Sequence, residues 1–567
     1  MTNRDIARAL RETAALIELT GGNAYRARAF ERAADVLKEL ETPAADRLAG
    51  GTLTDLSGIG DGMAGHVEAL LTGGSFPQRD ELRAEVPGGL LEVLRVKGLG
   101  TKKVRRLWQE LGVTSPGELE AAAEGGRIAE LRGFGEKTQA NMLENTRRLR
   151  SYRSRRRLSD ALPLAVPMLE ALRTAEGVKR AEPAGGLRRQ RETVEHVEIV
   201  ATGEPRAAED ALQPWLSEDR ERPVGAQWVF EGAFSDDGFG FTVRLVPSER
   251  FGTDWWLMTG AEAHCAAFRE AHGAPEPHAT EAALYDAAGL AFIPPELREG
   301  RGELDAAAKD DDGGDALPSL IEAADLRGAL HNHSTYSDGA HTLREMAEAT
   351  RARGLSYFGV CDHSQSLGVA GGLSPEEVRR QQDDIRALNE EFAADEGDPF
   401  RIFSGIESDV LADGALDYAE DVLASFDFVV ASVHQGLDMT ETEATERVVR
   451  AVQNPHTRIL GHATGRQLLA REGYPLDVER VIAACAEHDV ALEFNANPRR
   501  LDLDWRHLRA ATDAGVLVAV NPDAHRTAEL DYMTRFGVPV ARKGWLTAAQ
   551  CLNAKPLDEF DAWIDGR

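Results

Sequence analysis

The sequence predicts a multidomain protein with an all-α helix–hairpin–helix region at the N-terminus, a mixed α/β region in the middle and a C-terminal βα barrel. Its 567 residues are too many for one hydrophobic core and indicate about three or four domains. A Gly-apolar-Gly turn occurs three times between helical stretches of the first 160 residues. From about residue 326 onward, apolar runs alternate with helical stretches, a pattern typical of parallel βα units.

The composition is that of a water-soluble chain, with 42% hydrophobic and 28% charged residues. No apolar stretch reaches the length of about 18 residues that a membrane helix needs, and the N-terminus is polar, so we expect neither a membrane span nor a signal peptide. The four cysteines, Cys265, Cys361, Cys485 and Cys551, have no paired spacing. This pattern fits a reducing compartment, and we predict a cytoplasmic protein.

The charge is distributed unevenly along the chain, whose formal net charge is −30. The first 160 residues carry 26 Lys and Arg against 23 Asp and Glu, whereas the remaining residues carry 39 basic and 72 acidic residues. The N-terminal region therefore lacks the acidic excess that would repel a polyanion.

Three turns in this N-terminal region repeat one pattern: Gly58-Ile-Gly60, Gly98-Leu-Gly100 and Gly133-Phe-Gly135. The glycines permit a tight turn, the apolar residue anchors it, and free N–H groups at the next helix start can bind one DNA phosphate. A single triplet is more often an ordinary helix connection, but three copies with nearby lysines favour DNA-backbone binding without sequence readout. The predicted DNA-binding residues are Gly58, Gly60, Gly98, Gly100, Lys102, Lys103, Gly133, Gly135 and Lys137.

The middle region alternates helical segments with short strands, among them Glu195–Ala201 and Phe239–Val246. It ends in a polar, acidic, Gly-containing stretch, and we interpret residues 303–325 as an interdomain linker.

In the predicted barrel, histidines and carboxylates follow successive apolar runs. They are His331, His333, Asp362, His363, Glu407, His434, His462, Asp523 and His525. One histidine at a strand end is usually structural, but six of them with carboxylates at the C-terminal ends of parallel strands indicate a metal site. Imidazole and carboxylate without thiolate suit Mn²⁺ or Zn²⁺, with iron as a third candidate. So many ligands predict two or three divalent ions, a cluster suited to phosphoester hydrolysis.

The motifs around these ligands resemble the PHP phosphoesterase family. They include His331-Asn-His333, Ser337-Asp338-Gly, Cys361-Asp-His-Ser, Gly405-Ile-Glu407 and Asp523-Ala-His525. The resemblance implies a distorted seven-stranded (βα)7 barrel that binds three metals, with Asp338 as the remaining ligand. Asp362, His363 and Asp523 are the residues that we expect to be catalytic.

Further segments resemble the bacterial and archaeal X-family DNA polymerases that carry a PHP domain. These are Ser366-Leu-Gly-Val-Ala, Asn495-Ala-Asn-Pro-Arg-Arg-Leu-Asp, Leu530-Asp-Tyr-Met and, near the N-terminus, Gly22-Asn-Ala-Tyr-Arg-Ala-Arg-Ala-Phe. The resemblance implies a small helix–hairpin–helix domain at 1–80 and a fingers-like domain with two hairpins at 81–155. A nucleotidyltransferase-like palm and thumb at 156–302, the linker at 303–325 and the PHP domain at 326–567 would follow.

The palm of this family binds two metals through three aspartates, and here those positions are His196, Glu198 and Thr242. Gly186 replaces the serine of the family's Gly-Ser motif. One carboxylate cannot hold two Mg²⁺ ions, so Mg²⁺ binding is not expected and polymerase activity is predicted to be lost. Asp236, Asp237 or Glu195 could compensate, although Glu195 would point to the opposite strand face. The helix at 61–71 has no lysine for Schiff-base lyase chemistry.

The sequence thus predicts a DNA-repair phosphoesterase that acts as a 3′→5′ exonuclease on DNA. Three alternatives remain open: an active gap-filling polymerase with an altered metal site, a non-catalytic DNA-end-binding scaffold, and a small-molecule phosphatase that would leave the hairpins without a role. Protein partners, oligomeric state and preferred DNA structure are not predicted.

Overall fold

The computed structural model describes residues 1–40, 42–216, 228–234, 238–308, 317–395 and 397–566. The chain divides into two compact units, Met1–Ser154 and Arg155–Arg567. Within the described residues, no helix combines the length and the apolar character that crossing a membrane requires.

The first unit is helical throughout its described residues, as the sequence predicts. Its helices are α1 (Asn3–Thr20), α2 (Ala24–Glu39), α3 (Ala44–Ala49), α4 (Asp61–Gly73), α5 (Pro77–Glu85), α6 (Gly89–Val93), α7 (Thr101–Leu111), α8 (Pro116–Glu124) and α9 (Glu136–Arg153).

The three glycine turns have the same backbone geometry. The first glycine of each, Gly58, Gly98 and Gly133, has a φ of +98°, +87° and +87°, a region that other residues rarely adopt. The second glycine is in each case the extended N-cap of the next helix, α4, α7 or α9. The apolar residue between them is buried in all three turns. These contacts confirm the three predicted helix–hairpin–helix motifs.

The second unit begins with a mixed α/β region. Its elements are β1 (Arg156–Arg157), α10 (Leu158–Thr174), β2 (Val178–Pro183), α11 (Gly185–Arg188), β3 (Thr193–Val194), β4 (His196–Gly203), α12 (Pro205–Leu212), β5 (Trp228–Ala233), β6 (Gly240–Leu245), α13 (Phe251–Thr259), α14 (Glu262–His272), α15 (Glu281–Ala287) and α16 (Glu303–Ala306). A four-stranded sheet has the order β2-β4-β6-β5, in which β4 and β6 are parallel. Both strands predicted for this region are present within two residues of their predicted ends.

Part of the predicted linker is folded. Helix α16 starts at Glu303, whose buried carboxylate accepts hydrogen bonds from Gly300 N at 2.8 Å and is 2.6 Å from His264 Nδ1. Residues 309–316 of the linker lie outside the described residues.

The rest of the unit is a parallel barrel. Its elements are β7 (Gly328–Asn332), α17 (Leu343–Arg351), β8 (Tyr357–Val360), α18 (Pro375–Ala394), β9 (Arg401–Asp409), α19 (Glu420–Leu423), β10 (Phe428–Ser432), α20 (Glu441–Val452), β11 (Thr457–Leu460), α21 (Val478–Glu487), β12 (Ala491–Asn495), α22 (Leu508–Asp513), β13 (Val518–Asn521), α23 (Val538–Ala541) and α24 (Leu557–Asp565). Strands β7 to β13 pair in chain order, and His333 N donates to Ala524 O at 2.9 Å across the first and last strands. This confirms the distorted seven-stranded barrel.

Candidate metal centre

Side chains from all seven strands meet at the C-terminal end of the barrel, where parallel βα barrels place their chemistry. They lie in or just after β7 (His331, His333), β8 (His363), β9 (Glu407), β10 (His434), β11 (His462), β12 (Glu493) and β13 (Asp523, His525). Asp338 is contributed by the loop after β7.

All nine predicted metal ligands come together in four overlapping groups, in each of which the potential ligand atoms lie within 4.8 Å of one another. The groups are His333-Asp338-His363-His525, His331-Glu407-His462, His331-His333-Asp523 and His363-Glu407-His434. Because His331, His333, His363 and Glu407 belong to two groups each, the arrangement is one continuous cluster that can share ligands between ions.

Glu407 occupies the centre of this cluster. Its Oε1 lies 3.0 Å from His462 Nε2 and 3.2 Å from His434 Nε2, and its Oε2 lies 2.9 Å from His363 Nδ1. Burial opposes ionisation of Glu407, yet the neighbouring His434, His331 and His363 hold the pKa of its carboxyl group well below its usual range. Both oxygens are therefore available to bridge cations.

The cluster is open to solvent on one side. The Asp338 side chain is 38% exposed and that of His525 is 30% exposed, whereas His331, His333 and Glu407 are buried. His525 Nε2 and His363 Nε2 lie 3.3 and 3.5 Å from Asp338 Oδ1. A substrate can reach the cluster at this end.

The donors fit divalent metal ions. Among the described residues, His331 Nε2, both ring nitrogens of His333 and both Glu407 oxygens are buried without a hydrogen-bond partner. Each such group costs about 1–3 kcal/mol unless something binds it. Burial and the neighbouring His525 and His363 lower the pKa of His333 to about 3, so its imidazole is neutral and can offer a lone pair. Ions that accept imidazole and carboxylate satisfy these atoms.

Two of the ligands also have unusual backbone conformations. His331 and Asp523 have φ values of 55° and 50°, in the left-handed region that costs non-glycine residues about 1–3 kcal/mol. Such strain is retained where a side chain must be aimed at a site, and here both side chains point into the cluster.

Carboxylates behind the ligands, which the sequence analysis missed, orient the histidines. Buried Glu493 lies with Oε1 2.9 Å from His331 Nδ1, and its Oε2 accepts from His462 N at 2.7 Å. Asp409 Oδ1 accepts from His434 N at 3.1 Å and lies 3.4 Å from His434 Nδ1. A charged residue inside the otherwise apolar run from Val490 to Phe494 was the sequence signal for Glu493.

Asp362 belongs to none of the four ligand groups. Its buried carboxylate accepts hydrogen bonds from Ser334 N at 2.8 Å, Ser334 Oγ at 2.7 Å, Ser337 Oγ at 2.5 Å and Gln381 Nε2 at 2.6 Å. These contacts hold the loop that carries Asp338. Burial raises the pKa of Asp362.

Comparison with known proteins agrees with this arrangement. Residues 1–76 match a family model described as a helix-hairpin-helix domain, residues 90–148 a SAM-like helix-hairpin-helix tandem, and residues 329–497 a PHP domain. A Bacillus subtilis (strain 168) protein named DNA polymerase/3'-5' exonuclease PolX is 35% identical, covering 100% of this chain and 99% of that protein. The chain belongs to the PolX family, the X-family DNA polymerases with a C-terminal PHP domain.

The chain also has shorter relatives, which match less than half of its length. Proteins named probable phosphatase from Acetivibrio thermocellus and Vibrio campbellii are 30% and 27% identical over 29% and 42% of this chain. These matches cover 63% and 98% of the two proteins.

In the palm of this PolX chain, the three positions that the sequence analysis predicts to be altered metal positions lie together. Glu198 on β4 pairs in register with Thr242 on β6, and His196 Nε2 lies 2.7 Å from Thr242 Oγ1. Burial raises the pKa of Glu198, with Arg189 and Arg244 acting in the opposite direction. A cavity of about 240 Å³ borders His196, Glu198 and Gly186.

Three nearby carboxylates could replace the missing palm aspartates, but one of them forms an ion pair and two lie outside the described residues. Glu195 borders the same cavity, but its Oε1 is 2.7 Å from Arg155 Nη1. Asp236 and Asp237 lie outside the described residues.

Arg188, at the end of α11, and the adjacent Arg189 make internal ion pairs. Arg188 donates to both oxygens of Glu281 at 2.6 Å, and Arg189 Nε donates to Glu299 Oε1 at 3.0 Å. Lys543 from the end of the barrel binds the same Glu299 oxygen at 2.5 Å. Arg189 thus helps to join the palm to the PHP barrel.

Proposed function

We propose that this PolX chain is a DNA-repair nuclease that shortens DNA from its 3′ end at the PHP metal centre and does not polymerise nucleotides. The observation that carries the proposal is the contrast between its two sites. The PHP centre brings together the nine side chains predicted as metal ligands, and several of their buried donor atoms have no hydrogen-bond partner among the described residues. The palm, by contrast, has a histidine hydrogen-bonded to a threonine at two of its three metal positions.

The chain's own residues favour hydrolysis at a phosphate. Divalent ions held by the nine ligands would supply a hydroxide at neutral pH and stabilise negative charge on the phosphate oxygens. Glu407 keeps its charge at the centre, and the neutral His333 and the other imidazoles would hold the ions. Asp338 and His525 form the accessible side, where a phosphodiester would bind. Mn²⁺ and Zn²⁺ are the ions that we propose.

DNA is the substrate that we favour because it would account for the three helix–hairpin–helix motifs. Helices α4, α7 and α9 have glycine N-caps without a side-chain hydrogen bond, so their first N–H groups can bind DNA phosphates. Such contacts grip the DNA backbone and read no sequence. The Bacillus relative is named both as a DNA polymerase and as a 3'-5' exonuclease, and only the exonuclease activity is proposed for this chain.

A primer–template labelled at the primer 5′ end, incubated with Mn²⁺ and without nucleotides, tests the nuclease. We expect a ladder of shortened primers with the wild-type protein and an intact primer with His331→Ala, because His331 belongs to two ligand groups. His488→Ala, at the C-cap of α21, is the matched control and should retain the ladder. An intact primer in every lane, with metal bound to the wild-type protein, would favour the non-catalytic scaffold instead.

A further inference from the structure

A cavity of about 460 Å³ opens beside the metal centre. We call it the side pocket. It is formed by the loops that follow β8, β9 and β10, and Ser366, Asp409, Leu411, Gln435, Met439 and Arg447 are among the residues that line it. Its volume lies within the range of about 300–1,000 Å³ that small-molecule sites have.

The side pocket adjoins the ligand His434. Asp409, in its wall, accepts a hydrogen bond from His434 N at 3.1 Å. Gln435, the residue after His434, donates from Nε2 to Asp409 Oδ2 at 3.3 Å and to Ser366 O at 3.2 Å. The His434 ring centroid lies 5.3 Å from that of His363, whose Nε2 is 3.5 Å from Asp338 at the accessible side of the cluster. A group that occupies the side pocket is therefore one residue away from the place where the phosphodiester is proposed to bind.

The charge of the side pocket disfavours a second phosphate. Its acidic lining residues are Asp409, Asp438 and Glu443, and its basic one is Arg447. Arg447 donates from Nε to Leu411 O at 2.9 Å and from Nη1 to Gln435 O at 2.9 Å, and its Nη2 donates to Val410 O. Its guanidinium group is thus used to join the two loops and does not serve as an anion site.

The remaining lining chemistry suits a neutral group that donates hydrogen bonds and has an apolar face. Leu411, Ala412 and Met439 supply apolar surface, while Asp438 supplies an acceptor. A nucleoside has this character, since its hydroxyl and exocyclic amino groups donate and its base has a flat apolar face.

We infer that the side pocket binds the nucleoside of the 3′-terminal nucleotide while the adjoining phosphodiester occupies the metal centre. This inference rests on the proposed function. It explains how a terminal nucleotide can be selected by contacts to one nucleoside without base-specific readout.

Calorimetric titration of the full Mn²⁺-loaded chain with deoxyadenosine 5′-monophosphate and with inorganic phosphate tests the side pocket. Ala412→Trp should fill the pocket, and Ala415→Trp places the same bulk at an exposed position of the same loop. We expect the wild type and Ala415→Trp to bind the nucleotide about tenfold or more tightly than phosphate, and Ala412→Trp to lose this advantage. Met439→Ala, which removes apolar surface without adding bulk, should reduce it. Thermal melting checks that all variants are folded.

Equal binding of nucleotide and phosphate by the wild type, or an advantage retained by folded Ala412→Trp, would overturn the side pocket as a nucleoside site. The labelled-primer assay on the same preparations tests the nuclease separately. A wild type that binds the nucleotide preferentially but leaves the primer intact would reject the proposed function, and not the binding site.

Discussion

Individual carboxylates set the orientation of the histidine rings in the metal centre. Glu407 lies within 3.3 Å of four imidazoles, those of His331, His363, His434 and His462. Glu493 lies 2.9 Å from His331 Nδ1 and Asp409 lies 3.4 Å from His434 Nδ1, the ring nitrogens that do not face Glu407. A carboxylate behind a ligating histidine fixes its tautomer and raises its basicity. The ligands alone would leave the imidazoles free to rotate.

Replacing Glu493 with glutamine tests this orienting role. The change keeps the volume but removes the negative charge 2.9 Å from His331 Nδ1, and we expect metal affinity or hydrolysis to fall about 10- to 100-fold. Metal titration followed by the primer assay measures both. The exposed Glu487→Gln at the end of α21 should behave as wild type. Unchanged affinity and rate in Glu493→Gln would contradict the role.

Counting the bound metal ions tests whether Asp362 acts in catalysis or holds the loop that carries Asp338. Asp362→Asn weakens the hydrogen bonds to Ser334 and Ser337, which hold the Asp338 loop, so we expect fewer ions per chain together with a lower rate. Metal analysis after dialysis gives the stoichiometry. Asp383→Asn is the control, because Asp383 is exposed on α18 and pairs with Arg386 of the same helix. Full metal occupancy with a lost rate would instead support the catalytic role predicted from the sequence.

Glu493 and Asp362 show how far individual residues of the site could be predicted from the sequence. Eight of the nine predicted ligands could be predicted to meet because each follows an apolar run and the ends of parallel strands lie together, whereas Asp338 was predicted only from the resemblance to the PHP family. Glu493 was missed because it was counted within the apolar run from Val490 to Phe494. Asp362 and His363 both follow the apolar run of β8, but only His363 belongs to a group of potential ligand atoms, and the catalytic role of Asp362 stays a prediction.

At the scale of elements, the repeated hairpins are proposed to bind DNA, and the loops at the strand ends to form the metal centre and the side pocket. The hairpins were predictable because only glycine fits a turn with φ near +90°, and the same pair of glycines recurs three times. The barrel strands were predictable from their buried apolar runs. The side pocket was not, because it depends on how the loops after β9 and β10 pack around Arg447 rather than on any sequence period.

The second hairpin provides an electrostatic prediction. Lys102 is exposed in the first turn of α7, whereas Lys103 Nζ donates to Gly98 O at 3.0 Å within the hairpin. Lys102→Ala should weaken binding to duplex DNA and reduce the slope of log K against log salt by about 0.9, the value for one phosphate contact. Fluorescence anisotropy over a salt series measures the slope. The exposed Lys179→Ala is the control, and equal slopes in both variants would reject the contact.

At the scale of the whole molecule, the two compact units correspond to two kinds of chemistry. Met1–Ser154 contains the three hairpins, and Arg155–Arg567 contains the palm and the metal centre. The acidic excess of the chain lies almost entirely after residue 160. The nearly balanced charge of the first unit lets it approach DNA without the repulsion that the rest of the chain imposes.

This division predicts how a fragment of residues 155–567 would behave. It should hydrolyse the small diester bis(p-nitrophenyl) phosphate at the rate of the full chain, because all nine ligands lie within it. Its KM for a long DNA should rise, since the hairpins are missing. Steady-state kinetics on both substrates, after metal analysis, provides the test. A folded, metal-loaded fragment that retains the KM of the full chain would contradict the role of the hairpins.

The central claim, hydrolysis at the PHP centre beside an inactive palm, is tested most directly by the labelled primer–template with Mn²⁺ and all four deoxynucleoside triphosphates. In this mixture the His331→Ala protein cannot mask polymerisation by degrading the primer. We expect the wild type to shorten the primer and His331→Ala to leave it unchanged in length. Extension by His331→Ala that is abolished by adding Glu198→Ala would show that the palm polymerises and would contradict the account.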